Sequence, residues 1–143
     1  MKLKFVAGSL FILVFAVNVI AQTPKPAPPK ISVTGSYKLR NAETPNSMEV
    51  LQLPGGKIKF HILALWVSAH NRENVHNGEL QGIAALNGET AIYEADSCKV
   101  TIKFFAAKVI VTQDQDAGDC YFGANVSASG TYRKVSSRKP KFE

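Results

Sequence analysis

Apolar and polar residues alternate with period two through most of the chain from residue 57 to residue 133, a pattern that suits half-buried β-strands. The run KIKFHILALWV (57–67) sets Ile58, Phe60, Ile62, Ala64 and Trp66 on one face and Lys57, Lys59, His61 and Leu63 on the other. CKVTIKFF (98–105) does the same with Val100, Ile102 and Phe104 against Lys99, Thr101 and Lys103, and KVIVTQ (108–113) continues with Val109 and Val111. ANVSASGTYR (124–133) alternates Val126, Ala128, Gly130 and Tyr132 with Asn125, Ser127, Ser129 and Thr131. One buried face and one wet face is the signature of antiparallel sheet.

Turn signals punctuate these runs. LPGGK (53–57) separates SMEVLQL from KIKFHILALWV, and Asn87-Gly88 joins GELQGIAAL to ETAIYEA as a favoured hairpin pair. FFAAK (104–108) is a further corner. With ISVTGSYKL (31–39) the segments predict about eight strands, and no apolar stripe at helical spacing lasts two turns. Short turns make neighbours in sequence neighbours in the sheet. The fold class expected is therefore all-β: a single antiparallel meander, closed or nearly closed into a small barrel that hides its edges. A two-layer β-sandwich is the alternative. Small residues among the bulky inward positions (Gly82, Ala84, Ala91, Ala95, Ala128 and Gly130) favour a narrow, filled barrel over a roomy ligand cup.

The flanks differ from this body. In residues 1–21, Lys2 and Lys4 precede an apolar stretch that ends at the small residue Ala21, which reads as a secretory signal peptide. The apolar stretch is about 16 residues, short of the roughly 20 that span a bilayer, so no stable membrane insertion is expected after cleavage. QTPKPAPPK (22–30), with four prolines, reads as an extended spacer. The barrel domain is then 31–134, and 135–143 forms a basic flexible tail. The location expected is secreted or periplasmic.

The formal charge of +6 sits mainly on these flanks. Residues 31–132 hold eight of the basic and ten of the acidic side chains, so the fold itself is near neutral. This balance points away from a basic patch on the fold and from nucleic acid as a partner. The two cysteines, Cys98 and Cys120, allow one intramolecular disulfide in an exported chain. Its loop of about 22 residues corresponds to about 3 kcal/mol of stabilisation.

No catalytic or metal motif survives testing. DQDAGD (114–119) resembles a calcium loop, but counting from Asp114 places Gly118, Asp119 and Asn125 where an EF-hand needs an oxygen ligand, Gly and Glu. SASG (127–130) is not the nucleophile elbow of a hydrolase. His61, His70 and His76 lack helical metal spacing. An enzyme, a metal site and a cofactor are therefore not expected.

The stretch C-x-V-x-I-x-F…V-x-V-x-Q…C-Y-F-G-A-N-V-x-A-x-G-x-Y (Cys98 to Tyr132) resembles the C-terminal half of small exported bacterial β-barrel proteins of uncharacterised families. The size, signal and single disulfide are also similar to those of periplasmic β-barrel lysozyme inhibitors. Such a resemblance implies a non-enzymatic protein binder, either inhibitor-like or an adaptor. A small-molecule or lipid-binding barrel carrier is the alternative.

Binding residues collect on loops carried by a rigid scaffold. Two segments qualify. Residues 68–78 carry His70, Arg72 and His76, and the corner beside Cys120 carries Asp116, Asp119 and Tyr121. An aromatic with acidic neighbours would suit a cationic protein.

Overall fold

A computed structural model describes residues 31–41, 44–114 and 120–142. The signal and spacer segments expected at 1–30 lie outside the described residues. Eight strands follow one another: β1 (Gly35–Lys38), β2 (Ser47–Leu53), β3 (Lys57–Val67), β4 (Val75–Asn87), β5 (Thr90–Ala95), β6 (Cys98–Phe104), β7 (Lys108–Gln113) and β8 (Gly130–Ser136). Each pairs antiparallel with the next, and β8 returns to β1, so the meander is a closed barrel. No helix occurs among the described residues.

Period two in the sequence becomes inside and outside here. β6 alternates Val100, Ile102 and Phe104, fully buried, with the wetter Lys99, Thr101 and Lys103. The interior is filled by side chains: Tyr37, Tyr132, Phe60, Phe104, Met48 and Ile58 are each under 2% exposed. Burial of large side chains on this scale is the main favourable term in folding.

Strand boundaries depart from the sequence reading at β1, which is Gly35–Lys38 where 31–39 was expected, at β4 and at both ends of β8. The last strand was expected from Ala124, yet the β7–β8 ladder begins at Gly130↔Val111. Residues 126–129 keep the inward alternation of Val126 and Ala128 but are held by side chains. Ala128 N donates to Gln113 Oε1 (3.1 Å) and Gln113 N to Ser129 Oγ (2.9 Å). β4, conversely, begins earlier than expected. Its register with β3 is unbroken from Lys57↔Ala85 to Val67↔Val75, so the polar run VHNGE is strand and the connection shrinks to 68–74. At the far end, β8 runs to Ser136, and Phe142 lies under the Lys59 ammonium at 4.7 Å, back on the barrel wall.

Two matching latches close the barrel where β1 meets β8. VTGSYK (33–38) and ASGTYR (128–133) share the pattern x-x-Gly-Ser/Thr-Tyr-Lys/Arg. In each, the buried tyrosine hydroxyl donates to the carbonyl four residues back: Tyr37 to Val33 O and Tyr132 to Ala128 O, both at 2.7 Å. The glycines between them, Gly35 (φ 148°) and Gly130 (φ 153°), take backbone angles that other residues rarely adopt. Burial pushes both phenols up to about 12.

The seam between β4 and β5 is as short as that between β1 and β8, with three residue pairs each. Only Ala85↔Ile92, Leu86↔Ala91 and Asn87↔Thr90 pair across it. The gap is filled by rings: Tyr93 lies over Gly82 and packs edge-on to Phe60 (5.3 Å), and Phe122 lies over Gly78. A β-carbon at either glycine would overlap the ring above it.

Candidate functional site

Alternate connections of a meander emerge at opposite ends. One rim of the barrel carries the tight turns 54–56, 88–89 and 105–107. The other carries the connections 39–46, 68–74, 96–97 and 114–129, and three of these four are long. Both segments singled out from sequence therefore share one rim.

The corner is anchored on three sides. The Cys98–Cys120 disulfide ties it to the start of β6. Phe122 is buried against Gly78 of β4, and Gly123 N donates to Asn77 O (3.3 Å). His76 Nδ1 lies 2.6 Å from Ala124 O, a contact that needs the ring proton on Nδ1. The other face of His76 packs at 5.2 Å against Trp66. His76 thus braces the corner against β4.

Between Cys120 and Phe122, Tyr121 is 72% exposed. Its φ is 61°, with Cys120 at 57° and Asn125 at 64°. Left-handed backbone is unusual for a residue with a side chain and more so for a bulky one. The fully buried half-cystine before it and the buried ring after it fix this conformation, and together they present the phenol to solvent.

The remaining expected residues fall as follows. His70 and Arg72 are exposed in the β3–β4 connection, whose shape is set by Ser68 N to Asn74 O (3.0 Å) and by Glu73 N to Asn71 Oδ1 (3.1 Å). Asp116 and Asp119 lie outside the described residues. His61 is away from the rim on β3, where Nε2 lies 2.8 Å from Glu79 Oε1. Among the described residues no group of three or more His, Cys, Asp or Glu could hold a metal ion.

One organising residue had no signal in the sequence. Asn46, 1% exposed, donates from Nδ2 to Ser127 O (2.9 Å) and accepts at Oδ1 from Leu65 N (2.8 Å). Its own carbonyl accepts from Leu39 N (2.9 Å). It joins the end of β1, β3 and the approach to β8 on the long-loop rim. An asparagine beside a proline reads as turn chemistry, and nothing local shows that its partners lie 19 and 81 residues away.

Charge also arranges itself differently from its total. The near-neutral balance suggested no basic patch, and the structure corrects that reading. Lys108 of β7 stands opposite Arg133 of β8, and Arg133 stands opposite Lys38 of β1, all three exposed on the outer wall. A net count carries no information about position: Glu73, Glu79, Glu94 and Asp96 belong to β4, β5 and the long-loop rim, while Glu49 stands on β2 opposite Ser36 of β1 and Glu89 lies in the β4–β5 turn.

At the tight-turn rim an open pocket of about 490 Å³ is lined by Ile31, Val33, Leu53, Pro54, Leu86 and Phe104, among others. It is a mouth above the packed core.

No protein family model, curated protein or solved structure matches this chain. The disulfide-bonded barrel fits an extracellular or periplasmic setting, where such bonds persist. No helix among the described residues is long and apolar enough to cross a membrane, which says nothing about spanning by strands.

Proposed function

We propose that this chain is an exported, non-enzymatic binding protein of the cell envelope that grips a partner protein with its long-loop rim. The observation that carries the reading is Tyr121: a large aromatic ring, 72% exposed, on backbone at φ 61°, locked between a disulfide and a buried phenylalanine. The ring is largely exposed although the backbone beneath it is strained. It suits an anchor that meets its partner already ordered, because little entropy is then lost on binding. Tyrosine is also among the residues most enriched at binding hot spots. The filled core supports a surface binder over a carrier, whose ligand would need the space that Phe60, Phe104 and Met48 occupy. Asp116 and Asp119 precede Tyr121 in sequence, and their charge suits a cationic partner, lysozyme being one example.

The test is binding of the mature chain to a panel of basic secreted proteins, a lysozyme among them, by calorimetry at low and moderate salt. Tyr121→Ala should weaken binding at least about tenfold. Asp116→Lys with Asp119→Lys should weaken it most at low salt. Affinity unchanged in both variants, with the fold intact, moves the contact to His70 and Arg72. Absence of binding to every basic protein overturns the cationic partner.

A further inference from the structure

We infer that the outer wall of β7, β8 and β1 is a binding surface for an acidic polysaccharide. Directly opposed residues in an antiparallel ladder hold their β-carbons about 4.5–5.5 Å apart, and like charges so placed repel. Arg133 faces a lysine on both sides, Lys108 in one ladder and Lys38 in the other. Sheets usually answer such a row with carboxylates. The two ion pairs among the described residues, His61–Glu79 and Lys99–Glu94, lie on other strands. The row continues at both ends. Arg40 follows Lys38, and a groove along this wall is lined by Lys38, Arg40, Thr131 and Arg133. Beyond Lys108, Phe105 lies beneath the ammonium groups of both Lys103 (5.8 Å) and Lys108 (5.2 Å). Five cations thus cluster on this wall, three of them side by side across the strands. Glu49 on β2 stands diagonal to Lys38, but neither ion pair offsets the Lys108–Arg133–Lys38 repulsion, which is relieved when an anionic chain lies along it.

The shape of the row selects the class of polyanion. It runs across the strands, around the circumference of a closed barrel. With eight strands, each step turns the wall by about an eighth of a circle, so Lys108 to Lys38 covers about a quarter. A flat lipid surface cannot meet charges spread round that arc, whereas a flexible chain can bend to follow them. Single-stranded nucleic acid would add bases that need aromatic rings to stack on. The ring in this row, Phe105, is already covered by the Lys103 and Lys108 ammoniums, and the strongly exposed Tyr121 belongs to the long-loop rim. A chain with charge but no bases, bearing carboxylate or sulfate groups on sugars, fits what remains.

The experiment measures affinity of the full mature chain for short heparin fragments and for polygalacturonate across a salt series. Lys108→Glu with Arg133→Glu is compared with Lys139→Glu with Lys141→Glu, an equal charge change in the tail. The expected result is a loss of about tenfold or more for the row variant at 0.1 M salt, with a shallower salt dependence, and a change below about twofold for the tail variant. Thermal unfolding and near-ultraviolet circular dichroism confirm the row variant is folded; if it is not, Lys38→Gln with Lys108→Gln is compared with Lys139→Gln with Lys141→Gln. Equal losses in row and tail variants, or no binding of either polysaccharide, overturn the inference. Tighter binding of a thymidine oligonucleotide, or of phosphatidylglycerol vesicles, through the same residues overturns the assignment to polysaccharide. Tyr121→Ala should leave this affinity unchanged, which separates the surface from the long-loop rim.

Discussion

The two rims of the barrel reverse the chain by opposite means. In the turns of the tight rim, glycine supplies the unusual backbone: Gly55 and Gly56 follow Pro54, and Gly88 follows Asn87, with φ of 75°, 67° and 61°. On the other rim Asp96, Cys120, Tyr121 and Asn125 take left-handed angles despite their side chains. Asp96 sits in the two-residue β5–β6 turn, but what surrounds the other three is long-range: a disulfide across 22 residues, the hydrogen bonds of Asn46, and the contact of His76 with Ala124. Local chemistry therefore builds the first rim, and tertiary structure enforces the second. Strain that persists only because its surroundings impose it tends to mark functional sites.

The contrast breaks first at the disulfide. Replacing Cys98 and Cys120 together by serine should cost about 2–5 kcal/mol in urea unfolding, with hydrogen exchange rising in residues 120–129 and not in the tight turns. A loss below about 0.5 kcal/mol would mean that Asn46 and Phe122 hold the corner unaided. Next is alkaline pH, which tests the latches joining both rims. A phenol is neutral when protonated, and in the folded chain Tyr37 and Tyr132 keep their protons up to about 12 against 10 when exposed. Above pH 10 the unfolded chain loses those protons first. The stability these two groups contribute is thus intact below pH 10 and lost as pH rises to 12, by about 2–3 kcal/mol for each. Absorbance titration should show Tyr37 and Tyr132 ionising late. Ionisation of Tyr37 and Tyr132 near pH 10, without unfolding, would contradict the burial. Asn46→Ala should then cost about 1–3 kcal/mol, because Leu65 N and Ser127 O lose their partner.

The same contrast explains how much could be read from sequence. The strands from Lys57 onward, the Gly-bearing turns and the disulfide were legible because alternation, turn residues and a lone cysteine pair are local or enumerable signals. Closure was legible from the meander and the small inward residues. The start of β4 was not, since VHNGE owes its strand state to pairing with Leu65–Val67 rather than to its own composition. The rim was half legible: polar loops announced it, but the role of His76 as a brace and of Asn46 as a tie depends on distant partners. The basic row escaped because its residues come from three separate strands, and only register sets them side by side.

The smallest effect gives the sharpest comparison, because Gly88 and Tyr121 share the same φ of 61° on opposite rims. Gly88 has nothing within 4 Å of where a β-carbon would stand, so Gly88→Ala introduces backbone strain and no clash. It should cost about 1–2 kcal/mol. Tyr121→Gly reverses the exchange. It relieves a strain of about 1–2 kcal/mol, against about 0.5–1 kcal/mol for the added freedom of the unfolded chain. With a ring 72% exposed, little burial is lost. The expected outcome is stability unchanged or raised by up to about 1.5 kcal/mol, together with loss of partner binding. A residue whose removal helps the fold while harming recognition is kept for recognition. If Tyr121→Gly instead destabilises by more than about 1 kcal/mol, the ring is a cap on the barrel's end and the long-loop rim loses its anchor.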